Sequence, residues 1–115
     1  MTTSEDVNPV TGIRTLQADL LKAVAATVTS GWLDIRGCQQ WSVTVEGTFT
    51  NLTLQVLVSN MRDKPDDSLT DAGQIGQDIT APIFVSSSEP TNWMQVSVVA
   101  TGATGAMSVG FMGRK

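Results

Sequence analysis

Four segments of this chain set apolar residues at every second position, with mostly polar ones between, and end at turn formers. Trp41, Val43 and Val45 alternate with Ser42, Thr44 and Glu46 before Gly47. Leu52, Leu54, Val56 and Val58 alternate with Thr53, Gln55 and Leu57 before Ser59-Asn60. Met94, Val96, Val98 and Ala100 alternate with Gln95, Ser97 and Val99 before Gly102. Met107, Val109 and Phe111 close the series before Gly113. Successive side chains of a strand point to opposite faces, so a period of two marks a strand with one face in a core. A helix of the same burial needs a period of 3.6, which none of the four has.

Shorter signals fill the gaps. Ser30-Gly31 reads as a turn. In the next strand Leu33 and Ile35 share one face, while Trp32, Asp34 and Arg36 share the other. Ile83 and Val85 flank Phe84 in a strand that starts after Pro82. Residues 13–29 fit two templates. Ile13, Leu16, Leu20, Val24 and Val28 recur at helical spacing, yet Val24, Thr27, Val28 and Thr29 are poor helix formers. Two short strands with a kink near Leu21–Ala23 are the preferred reading. Gly102 and Gly105 predict a hairpin between the last two strands. The first twelve residues are polar and aperiodic and read as an N-terminal arm. Seven or eight short strands separated by Gly, Ser, Pro and Asp predict an all-β, single-domain antiparallel β-sandwich, jelly-roll-like, over 13–115, with the extended arm 1–12 before it.

Composition narrows the chemistry. The 115 residues contain no His and no Tyr, so no imidazole base or His ligand exists. The single Cys38 can close no intrachain disulfide and reads as a small buried hydrophobe. The formal charge is −4, and segment 59–81 carries five aspartates against Arg62 and Lys64. So few basic residues argue against nucleic acid, whose binding rests on neutralised phosphates. The uncharged stretch from Pro90 to Gly113 is broken by Asn92, Gln95, Ser97 and several glycines, so no membrane span is expected. The polar start likewise lacks the basic and apolar regions of a signal peptide.

Each candidate for chemistry has a plainer counterpart. Asp63, Asp66, Asp67 and Asp71 offer oxygen ligands to calcium, but their spacing departs from an EF-hand loop, and a solvated acidic loop fits better. Gly73, Gly76, Ile75 and Ile79 suggest one irregular strand within that loop. Asp34 and Glu46 fall on the polar faces of strands expected to be adjacent; surface pairing with Arg36 explains them better than catalysis does. Gly102 to Gly105 is no phosphate loop, because no Lys-Ser/Thr and no helix follow. Trp41 belongs with the core. Trp32 and Trp93 fall opposite the main apolar stripe, where a subunit interface, a core edge or a sugar platform are all open, the interface first. Val7, Pro9 and Val10 give the arm its apolar grip. No catalytic residue, cofactor or metal is expected, and neither is enzymatic turnover.

With the strands placed, a family resemblance emerges. Thr15-Leu16, then Thr29 to Gly37 with its Leu33-Asp34-Ile35-Arg36-Gly37 strand, then Trp41-Ser42-Val43-Thr44-Val45-Glu46-Gly47-Thr48-Phe49 resemble a pattern in small structural proteins of tailed bacteriophages. Leu54-Gln55-Val56-Leu57-Val58-Ser59-Asn60 continues it. Trp93 to Val98 and Gly105 to Val109 resemble its closing hairpin. The chain departs from the pattern at Met61-Arg62, where a longer acidic loop begins. The resemblance implies a jelly-roll or sandwich protein of the virion, first a capsid decoration (cement) protein that binds the major capsid protein shell. A tail, fibre-attachment or baseplate protein is the alternative. A carbohydrate-binding module using Trp32 and Trp93 is the reading from another class. Low charge outside 59–81 adds the expectation of a homo-oligomer, trimer preferred and dimer second. The expected location is the virion, after assembly in the host cytoplasm.

Overall fold

The computed structural model describes residues 1–66 and 73–115. Ten strands lie among them: β1 (Thr2–Val7), β2 (Arg14–Val24), β3 (Val28–Thr29), β4 (Leu33–Asp34), β5 (Gln40–Glu46), β6 (Phe49–Ser59), β7 (Gly73–Ile79), β8 (Ile83–Ser87), β9 (Trp93–Gly105) and β10 (Met107–Arg114). They form two antiparallel sheets. The first runs β1-β2-β10-β5-β8; the second runs β3-β9-β6-β7, with β4 also on β9.

The pairings nest from the outside in. β2 lies beside β10, β3 and β4 beside β9, β5 beside β8, and β6 beside β7. This is the order of one long hairpin, with its tip between β6 and β7, rolled over on itself. Cross-pairs β5–β10 and β6–β9 knit the rolled strands into two sheets. The chain is a jelly roll, a β-sandwich of the expected class.

The core is built from the inward residues of both sheets. Leu16, Ala18 and Leu20, Val43 and Val45, and Val109 and Phe111 face Leu52, Leu54 and Val56 and Met94, Val96 and Val98. The alternation read from the sequence is this inner face. Ala18 apart, each such side chain, fully buried, contributes about 1.5–3 kcal/mol of apolar transfer.

Four expectations change. The last two strands form no hairpin with each other, because β9 and β10 belong to different sheets. Gly102 and Gly105 lie inside β9, and the chain crosses between sheets at Ala106. The crossing from β5 to β6, at Gly47-Thr48, packs against this one: Ala106 N–H donates to Thr48 O at 3.1 Å. A Cβ on Gly47 would strike the Ala106 carbonyl, and one on Gly105 the Thr48 carbonyl. Both glycines have positive φ, +118° and +80°. Here glycine lets two backbones touch, a task different from the turn the sequence suggested.

The arm is the second change. Residues 2–7 form the outermost strand of the first sheet, from Thr2 opposite Asp19 to Val7 opposite Arg14. Every residue of β1 is exposed, so period-two patterning gave no sign of it. Third, residues 13–29 hold one long strand and one short one. The expected kink is present as two register shifts against β10, with Leu20 and Leu21 both buried and Ala23 at φ +51°. Extra residues in a strand bend it without ending it, and β2 runs on to Val24. Asp34 and Glu46 do not share adjacent strands: β4 is in the second sheet and β5 in the first.

Candidate functional site

Trp32 and Trp93 meet on the outer face of the second sheet, in a small cluster with Leu57. Their exposures are 5% and 9%, so of the three open readings the core edge fits the rings, and neither stands bare as a sugar platform or interface would need. The segment after β6 folds back over them. Trp32 Nε1–H donates to Asp66 O at 2.8 Å, and Trp93 Nε1–H donates to Met61 O at 3.1 Å. Asn92 Nδ2 donates to Asn60 O and Met61 O, both at 3.1 Å. A buried indole needs an acceptor for its N–H, and the loop carbonyls supply it. Outward-facing positions of β9 are therefore buried as well. The sequence placed the rings on the correct face; the cover comes from residues distant in the chain.

Asp34 and Arg36 finish this surface. Arg36 Nη2 and Nε donate to Asp34 Oδ2 and Oδ1 at 2.6 and 3.0 Å, a forked pair about half exposed. The guanidinium carbon stands 5.3 Å from the Trp93 ring centroid, within cation–π range. The Arg36 hydrogen bond holds the Asp34 carboxyl below its ordinary value, against the opposing effect of burial. The pairing with Arg36 expected for Asp34 is present within one segment instead of across two strands. It holds Asp34 ionised and directed at a cation.

Gln95 lies beneath this cap. It is fully buried, and neither atom of its amide has a partner among the described residues; Oγ1 of the half-buried Thr91 also lacks one. Among the described residues no group of three metal-ligating side chains gathers. Asp67 and Asp71 of the calcium reading lie outside the described residues, whereas Asp66 lends only its backbone to Trp32. The irregular strand expected within 59–81 is β7.

Val7, Pro9 and Val10 gather in the turn from β1 to β2, in the other sheet. All three are exposed, Val10 at 91%. Asn8 shapes the turn: its Oδ1 accepts from Val10 N–H at 2.9 Å and its carbonyl accepts from Gly12 N–H at 2.8 Å. Lys115 Nζ sits 3.3 Å from Glu5 Oε1 and pins β1 against the chain end. Cys38 is buried, and burial pushes its thiol pKa up, which disfavours the thiolate.

The patch that sequence reasoning missed is β8. Ile83 and Phe84 are 49% and 64% exposed on a sheet edge. A cleft of about 310 Å³ opens beside Ile83, where β7 and β8 flank the mouth of the sandwich, while Phe84 points to the outer face. The available signal was the absence of charge between Thr80 and Ser88. A second cleft, about 440 Å³, is lined by Trp41, Ser86, Ser87, Ser88, Met112 and Arg114, but Trp41 is 4% exposed and presents no ring for stacking.

No protein-family model matches the sequence, and no curated protein matches it. Among solved structures, the crystal structure of the SPBc2 prophage-derived protein YomS is similar in fold. Its TM-score is 0.63 at 11% identity, over 90% of this chain and 95% of that one. At that identity the likeness is one of fold, and it spans nearly the whole of both chains.

Proposed function

We propose that this chain is a structural protein of a bacteriophage particle, and specifically a decoration protein that binds the outside of an assembled capsid shell. The observation that carries the reading is the fold shared with a prophage-derived protein over almost the full length of both chains. The Leu33 to Phe49 pattern, similar to small tailed-phage structural proteins, points the same way. A jelly roll is a frequent shell-protein architecture. A structural role asks for surfaces and needs no reactive group. The strands supply such surfaces at the exposed β1–β2 turn and at β8. Copies of the chain associate with one another as well as with the shell, and turnover plays no part.

Co-sedimentation of the purified chain with phage capsid shells, with tails, and a glycan panel test the reading. Saturable binding to shells is the expected result. Binding to tails alone assigns the chain to the tail. Sugar binding without shell binding overturns the virion role in favour of a carbohydrate-binding module.

A further inference from the structure

Each sheet of an open sandwich ends in strands whose outer N–H and C=O groups are unpaired. Proteins guard such edges with charge, short strands, bulges or proline. Three edges here are guarded. β3 and β4 are two residues each. β7 carries Asp78, is irregular in register against β6, and turns through Gly76 at φ +75°. β1 carries Glu5 and Asp6. β8 has none of these devices. Its five residues pair with β5 in unbroken register, Pro82 lies just outside it, and no charge falls between Thr80 and Ser88. It also bears the exposed Ile83 and Phe84.

We propose that β8 is a strand-addition site whose occupant is β8 of a second copy of this chain, joined antiparallel about a two-fold axis normal to the sheet. Such an axis reverses strand direction and keeps the inner and outer faces aligned, as one continuous sheet requires. All five residues pair only when Val85 lies on the axis. Val85 then meets Val85 of the second copy, Phe84 meets Ser86, and Ile83 meets Ser87. Beyond the strand, Glu89 comes opposite Ala81, so no like charges meet. The same operation on β1 would crowd Glu5 and Asp6 of both copies into one short ladder. The cleft between β7 and β8, lined by Val56, Ile75, Ile79, Ile83 and Val85, opens along the same rim, so the added strand covers apolar area as well as backbone. This pairing deepens the reading that copies associate and rests on it. It assigns a two-fold dimer where low charge had suggested a trimer, because β8 is complementary to itself.

Sedimentation equilibrium of the full chain, Phe84→Lys and Thr3→Lys tests it. Both altered positions are exposed, so circular dichroism is expected to be unchanged. The expected result is a wild-type dimer, a dissociation constant raised by roughly tenfold or more in Phe84→Lys, and no change in Thr3→Lys. Register is read separately in a Cys38→Ala background. Facing Cβ atoms lie about 4.5–5.5 Å apart, so Val85→Cys cross-links with diamide as oxidant and Thr3→Cys does not. A wild-type monomer at about 100 µM, the weak end of association, overturns the pairing, as does a dimer indifferent to Phe84→Lys. A monomer that still binds shells overturns the pairing and leaves the proposed function standing. A β8-dependent dimer that ignores shells does the reverse.

Discussion

Gly47 and Gly105 stand where the backbone passes between the sheets, and each touches the other crossing. A methyl group on Gly105 would meet the Thr48 carbonyl and the Phe49 Cα, both backbone and unable to swing aside. Gly105→Ala therefore combines a strained positive φ with overpacking. Urea unfolding is expected to show a loss of roughly 2–5 kcal/mol. Gly102→Ala is the control. It also has positive φ, +60°, but open space where the Cβ would be. Its loss is expected near 1 kcal/mol. Equal losses would mean that φ, and not the contact of the crossings, governs this corner. The sequence marked both glycines but described them as one turn, because a glycine that permits a turn and one that permits a close approach look alike without the second backbone.

The strands divide by how much core they carry. β5 and β10 alternate buried residues with half-buried or exposed ones, and β9 is buried on both faces through Val98. β1 carries no core. Deleting residues 1–12 removes one ladder and the Glu5–Lys115 pair while sparing every buried side chain. The truncated chain is expected to keep its circular dichroism spectrum, lose on the order of 1–2 kcal/mol of stability, and fail to bind capsid shells, since Val7, Pro9 and Val10 leave with it. Normal shell binding by the truncated chain would end the role given to that turn. β1 also explains what periodicity misses: an edge strand held only by backbone hydrogen bonds needs no apolar alternation.

Over the whole molecule the rolled-hairpin order makes the chain's two halves interdependent. β10 lies between β2 and β5, so the first core-bearing strand is completed by the last. Removing residues 107–115 takes away Met107, Val109 and Phe111 and divides the first sheet. That truncation is expected to abolish cooperative unfolding, in contrast to the loss of residues 1–12. A sharp thermal transition in the shortened chain would show that the sheet does not depend on its central strand. Such distant pairings also place the fold among slow two-state topologies.

Backbone geometry makes the period of two a local property, and so the sequence alone determined that the chain is all-β and which side chains of β5, β6, β9 and β10 face inward. It also determined that no imidazole chemistry is available. Tertiary structure decided what faces what. Strand partners such as β2 and β10 are held together by backbone hydrogen bonds that any residue but proline can make, so local patterning does not name them. The fate of Trp32 and Trp93 lay in a loop carbonyl at Asp66 and another at Met61, a cover that no alternation within β9 encodes. The exposure of β8 likewise arises because it is the last strand of its sheet, a position set by the roll of the whole chain.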